Sequence, residues 1–172
     1  MRADYASLIR EVPDFPQPGV LFRDITPLLA DAGALRAAVQ DLAAPFHGSR
    51  IDRVVAIEAR GFVLGAPVAV ELGAGFVLVR KAGKLPRETH RAAYALEYGE
   101  AAVEMHDDAL RTHDRVLVID DVIATGGTLA ATVDLVERAG ATVMGIAVLI
   151  ELTELNGRSA LGGRELLSLI KM

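Results

Sequence analysis

The chain has 172 residues, and 18 Lys and Arg against 23 Asp and Glu leave a formal net charge of −5. That length suits one domain, and 52% apolar with 24% charged residues excludes intrinsic disorder, which needs low hydrophobicity and high charge density. The negative balance offers no field for a polyanion, so no nucleic-acid partner is expected, and the lack of cysteine excludes disulfides, thiolate catalysis and cysteine-held metals.

The first residues, Met1-Arg2-Ala3-Asp4-Tyr5, bring in an acid where a signal peptide needs an apolar run. The charge-free stretch 139–150 is shorter than the ~20 residues of a membrane helix, so a cytoplasmic protein without a membrane partner is expected. Leu8, Ile9 and Val12 predict a short helix over 5–12, stopped by Pro13, Pro16 and Pro18, which remove amide donors and fix φ. Asp31 is placed to cap a helix running to about residue 47, with Leu35, Val39, Leu42 and Phe46 on its buried side. Residues 54–57 read as a buried strand, 62–72 as a helix and 75–79 as the next strand. Segments 94–98 and 101–105 flank Gly99-Glu100 as a β-hairpin. Val116-Leu117-Val118-Ile119 is the clearest buried strand, followed by a helix over 128–139 and a strand over 142–150. The closing stretch 166–170 fits an edge strand or a dimer contact. Strands alternating with helices predict a single α/β domain over 1–172, with a mainly parallel sheet covered by helices on both faces.

Residues 116–128 carry the strongest chemical signal. A strand runs into Asp120 and Asp121, and then Ala124, Thr125, Gly126, Gly127 and Thr128 form a small-residue loop opening a helix. At the carboxyl end of a parallel strand such a loop turns its amides outward, and unpaired amides with a helix dipole make a phosphate site. Two carboxylates beside a phosphate would repel it, so they should face hydroxyls or a metal-bound group. A P-loop needs Lys directly after its glycine, where this chain has Thr128, and the dinucleotide pattern G-x-G-x-x-G is absent. The competing reading is a tight connection in which the acids cap the helix.

This segment resembles the phosphoribosyl-diphosphate (PRPP) signature of the type I phosphoribosyltransferases. The resemblance implies that Asp120 and Asp121 hold the ribose hydroxyls, and that Ala124, Thr125, Gly126, Gly127 and Thr128 hold the 5′-phosphate. Four further segments resemble the adenine-using members of that family: 15–28, 58–62, 79–86 and 94–99. Together they imply the reaction adenine + PRPP → AMP + diphosphate, within purine salvage. The resemblance also implies the type I fold with a base-binding hood over about 1–30 and a flexible lid hairpin over about 82–105. Mg²⁺ is the implied cofactor, carried on PRPP near Asp120 and Asp121 with no firm protein ligand, and a homodimer is the implied assembly.

Each segment also has its own physical reading. An aromatic followed by Arg in a proline-rigidified loop can form a shelf for a flat base, and stacking there is worth ~1–3 kcal/mol per base. The resemblance puts adenine against Phe22, with backbone groups of Leu21 and Arg23 reading its edge. In the alternative, Phe22 is a core residue and Arg23 pairs with Asp24. Phe15 is expected in the core. Arg60 follows a strand end, and its planar fork suits two diphosphate oxygens. The resemblance implies a cis peptide between Ala59 and Arg60. Arg80, Lys81 and Lys84 form the densest basic cluster, either a solvated loop or, by the resemblance, a diphosphate contact through Lys81 and Lys84. Glu97 on the hairpin is either a solvent-facing strand residue or the group that accepts the N7 proton of the purine and so makes N9 the nucleophile. Arg87, His90 and Arg91 take no assigned role, and the four histidines show no metal-ligand spacing. The rival functions are transfer to a 6-oxopurine, or a PRPP-sensing regulator that binds nucleic acid.

Overall fold

A computed structural model describes residues 4–95 and 99–172. Its elements in chain order are β1 (Arg10–Pro13), β2 (Leu21–Asp24), α1 (Thr26–Ala30), α2 (Ala32–Ala43), β3 (Arg53–Ile57), α3 (Arg60–Leu72), β4 (Gly75–Lys81), β5 (Thr89–Ala95), β6 (Glu100–His106), β7 (Arg115–Ile123), α4 (Gly127–Arg138), β8 (Thr142–Glu151) and β9 (Leu166–Lys171). Seven strands form one sheet in the order β5-β6-β4-β3-β7-β8-β9, and β1 pairs with β2 apart from it. From β4 to β9 every pairing is parallel. The β5–β6 hairpin joins antiparallel, through Arg80 opposite Glu104 and Lys81 opposite Val103.

The alternation within each strand explains why both faces need helices. On β7, Val116 and Val118 pack with Leu129, Val133 and Val136 of α4, while Leu117 and Ile119 pack with Leu42 of α2 and Leu64 and Val68 of α3. A strand buried on both sides reads as a continuous apolar run, which is what 116–119 shows. The expected single α/β domain with a mainly parallel, doubly covered sheet is the fold observed. No helix among the described residues is long and apolar enough to cross a membrane.

Most elements lie where the sequence places them. The Asp31 carboxylate accepts the Ala34 amide at 2.8 Å and caps α2, whose line continues as a 3₁₀ turn over Ala44–Phe46. β9 is one edge strand of the sheet, and β5 is the other. Two expectations need correction. Residues 5–12 are not a helix: only Ala6–Leu8 makes a 3₁₀ turn, and β1 follows. A lone helix this short is poorly nucleated, and the strand satisfies its backbone against β2, with Glu11 opposite Arg23 and Val12 opposite Phe22. The first hairpin strand begins at Thr89 rather than 94, because a polar edge strand lacks the apolar run that marks the buried ones.

The strand order positions the site. α3 carries the chain from β3 to β4 on one face, and α4 carries it from β7 to β8 on the other. β3 and β7 are neighbours whose connections depart in opposite directions. A crevice opens at such a switch point, outside the carboxyl ends of the two strands.

Candidate active site

A cavity of about 360 Å³ occupies that crevice. The end of β3 supplies Glu58, Ala59 and Arg60. The end of β7 and the start of α4 supply Asp120, Asp121, Ala124, Thr125, Gly126, Gly127 and Thr128, and Lys81 stands at the end of β4. These are most of the residues singled out from the sequence. Lys84, Leu21, Phe22 and Arg23 do not line this cavity. Glu97 and Tyr98 lie outside the described residues.

Asp120 and Asp121 are strand residues, 8% and 5% exposed. Asp120 accepts the Asp121 amide on its own Oδ1 at 2.8 Å. Burial, and next the neighbouring Asp121 carboxylate, push the Asp120 carboxyl well above the usual carboxylate range. Gly61 lets α3 approach this acid: a Cβ there would lie 2.8 Å from Asp120 Oδ1. The Arg60 Nε lies 2.8 Å from Asp121 Oδ2 as an ion pair, without the alignment of a hydrogen bond. Neither acid caps α4, whose first turn has no side-chain cap and follows Gly126 at φ 84°. The structure therefore overturns the helix-capping alternative and leaves the first amides of α4 for another acceptor.

The strand-to-helix turn after β3 contains a cis peptide, but at Glu58–Ala59 and not at Ala59–Arg60. Ala59 already has helical dihedrals and Arg60 is the first residue of α3, so the reversal is complete before the expected bond. Glu58 lines the cavity and was given no role in the sequence reading. Its Oε1 accepts the Lys81 amide at 2.7 Å and its Oε2 accepts Arg80 Nε at 2.8 Å. Burial alone would raise its pKa, yet the Lys81 amide and the Arg80 guanidinium outweigh it and hold the carboxyl below its ordinary value. Arg80 also donates to the Lys84 carbonyl at 3.0 Å. The basic cluster thus divides: Arg80 clamps, Lys81 faces the cavity, and Lys84 sits on the clamped turn.

At the hood, Phe22 touches two partners. The Arg60 guanidinium carbon lies 4.8 Å from its ring centroid, within cation–π range, and the Phe15 ring packs against it in a T-shaped arrangement at 5.1 Å. Phe15 is 51% exposed, which corrects its expected place in the core: it stands in the connection between β1 and β2, apart from the seven-stranded sheet. Arg23 pairs with Glu11 across the β1–β2 ladder, not with Asp24, whose carboxylate accepts the Thr26 amide at 2.9 Å.

Tyr94 also lines the cavity, with a ring carbon 3.2 Å from where a Cβ of Gly127 would stand. It opens the resembling segment 94–99, but the sequence reading gave it no role. Arg87 is committed to Asp108 at 2.9 Å, and neither His90 nor Arg91 faces the cavity.

Residues 29–160 match the phosphoribosyl transferase domain family. An adenine phosphoribosyltransferase of a Nocardioides species is 60% identical over 168 residues, covering 95% of this chain and 91% of its own. The chain belongs to the adenine phosphoribosyltransferases. These are pentosyltransferases of purine salvage, joining adenine to PRPP to give AMP and diphosphate. The crystal structure of the Rhodothermus marinus adenine phosphoribosyltransferase superposes with a TM-score of 0.95 at 52% identity, covering 98% of this chain and 96% of that one. The Saccharomyces cerevisiae enzyme, solved with adenine and an imino-altritol bisphosphate, superposes with a TM-score of 0.90 at 37% identity and 96% coverage of both chains.

Proposed function

We propose that the crevice between β3 and β7 performs the family's reaction with the following division of labour. The loop and first turn of α4, Ala124 to Thr128, take the 5′-phosphate on uncapped amides and hydroxyls. Asp120 and Asp121 take the ribose hydroxyls. Arg60, Lys81 and Lys84 take the departing diphosphate. Contact through Nε leaves both terminal nitrogens of Arg60 for phosphate oxygens, and the Glu58 clamp holds the Lys81 backbone at the rim. Adenine lies against Phe22, its edge read by the backbone of Leu21 and Arg23, and Glu97 accepts the N7 proton so that N9 attacks the anomeric carbon. As the N9–C1′ bond forms and the C1′–O bond to diphosphate breaks, positive charge grows on the sugar beside the acids and negative charge on the diphosphate beside the cations.

The donor set suits Mg²⁺ carried on PRPP. The described residues hold no group of three or more metal-ligating side chains, and Mg²⁺ commonly takes one or two carboxylates with substrate phosphates and waters. Asp120 and Asp121 are the residues that would adjoin it. When bound, it neutralises charge on the diphosphate. To the same proposal belong a hood over about 1–30, a lid over about 82–105 that excludes water from PRPP, a homodimer, and a cytoplasmic location.

One observation carries the reading: a single cavity brings the paired acids, Arg60, Lys81 and the uncapped start of α4 together. The test offers adenine, hypoxanthine, guanine and xanthine in parallel with PRPP and Mg²⁺. AMP formed from adenine alone is expected. Turnover with 6-oxopurines alone would overturn the roles given to Leu21, Phe22, Arg23 and Glu97.

A further inference from the structure

The segment between β8 and β9 carries no recognisable motif and touches no part of the cavity, yet it packs directly behind the phosphate loop. Gly157 opens a 3₁₀ turn over Gly157–Leu161 and is buried. A Cβ on Gly157 would stand 2.3 Å from the Ala124 carbonyl oxygen and 2.8 Å from Ile123 Cγ1. From the other side, a Cβ on Gly126 would stand 2.3 Å from the Gly157 carbonyl oxygen and 2.9 Å from Ala160 Cβ. The two backbones touch with no room for a methyl group. Gly126 has a left-handed φ that favours glycine in any surroundings. Gly157 lacks one, so only its approach to the loop requires glycine there.

The next residue fixes that approach. Arg158 donates through Nε and Nη2 to the two Glu151 carboxylate oxygens at 2.5 and 2.7 Å, and through Nη1 to the Leu166 carbonyl at 3.0 Å. Glu151 also accepts the Ser168 hydroxyl at 2.6 Å. Glu151 ends β8 opposite Ile123, the residue just before the loop. A bidentate guanidinium–carboxylate pair sets direction as well as distance. Hydrogen bonding from Arg158 holds Glu151 down to about 2, so the pair stays ionised through the range in which the enzyme would work.

We infer that Gly157 and the Glu151–Arg158 pair are positioning residues for PRPP, setting the placement of the loop 124–126 and hence affinity for the ribose 5-phosphate half of the substrate. The inference rests on the reading of that loop as the 5′-phosphate cradle. None of the three residues lines the cavity, so their effect must pass through the loop.

The experiment measures Kd for ribose 5-phosphate and for inorganic diphosphate, with KM for PRPP and for adenine, in Gly157→Ala, Arg158→Met, Arg158→Lys and Thr128→Val. Displacing a binding group by an ångström costs up to about hundredfold. Gly157→Ala is therefore expected to weaken ribose 5-phosphate and raise the PRPP KM by roughly tenfold or more, while diphosphate affinity and the adenine KM stay within about twofold. Arg158→Met is expected to do the same more weakly, and Arg158→Lys to recover part of the loss. If Gly157→Ala does not fold, the Arg158 pair carries the test. An even loss across all ligands, or unchanged ribose 5-phosphate affinity in the variants that fold, overturns the inference. Thr128→Val separates the two failures. If it leaves ribose 5-phosphate affinity intact, the cradle reading itself falls, and if it weakens that ligand while the buttress variants do not, only the positioning role falls.

Discussion

Asp120 combines two costs, burial and a like charge beside it, and the fold offsets them only partly through the Asp121 amide. A carboxyl whose folded pKa is raised destabilises the native state at neutral pH, where the unfolded chain would ionise it freely. Asp120→Asn is expected to raise the melting temperature, by ~2–4 °C for each kcal/mol recovered, while PRPP turnover falls at least tenfold. Calorimetric melting beside steady-state kinetics checks both signs. Glu58 presents the opposite case, a carboxylate held ionised because it clamps two donors. Glu58→Gln keeps the shape and loses the charge-assisted bond to Arg80. Initial-rate kinetics should show the PRPP KM raised several-fold with the adenine KM unchanged. Arg60, Lys81, the acid pair and the small-residue loop were legible in the sequence because each belongs to a short local pattern at a strand end. The Glu58 clamp and the Gly157 contact were not, since both depend on which distant backbone comes to rest beside them.

The described part of the hairpin is tied to α4 at two points. Arg138 donates to the Arg91 carbonyl at 2.7 Å, and Tyr94 lies over Gly127. Both contacts set β5 against the helix that opens the small-residue loop. Tyr94→Ala should therefore remove the contact with Gly127 and weaken PRPP, several-fold in KM, whereas Tyr94→Phe should behave as the parent in the same assay. Among elements, strands buried on both faces were readable as apolar runs, and α2 by its capping acid and periodic face. The N-terminal strand was not, because Leu8, Ile9 and Val12 happen to mimic helical spacing while the partner that decides their conformation, β2, lies beyond a proline-rich loop. The early half of β5 was hidden by its polar edge character.

Across the whole molecule the sheet has two ends with different duties. At the amino ends of β3 and β7, Asp52 accepts the Arg115 amide at 2.9 Å and pairs with Arg50 at 2.9 Å, and Arg115 donates to the Arg50 carbonyl at 2.7 Å. These bonds, led by the Arg115 amide, hold Asp52 below the usual carboxylate range. The opposite end carries the acids and the loop. Asp52→Ala should lower the melting temperature and leave both KM values unaltered, which thermal melting and kinetics on one preparation will test. A shared loss of affinity would mean that the two ends are not separable.

Arg60 joins the proposed base shelf to the proposed ribose acids. One guanidinium rests on the Phe22 ring and on Asp121, so a base lying on that ring and a sugar held by that acid would share a single cation. A ligand that displaced this cation would alter the surroundings of the other. Linkage makes the effect mutual: the factor by which sugar phosphate alters affinity for the base equals the factor by which the base alters affinity for the sugar phosphate. Arg60 is thus the side chain at which a coupling between the two sites would be read, by comparing each ligand's affinity with and without the other.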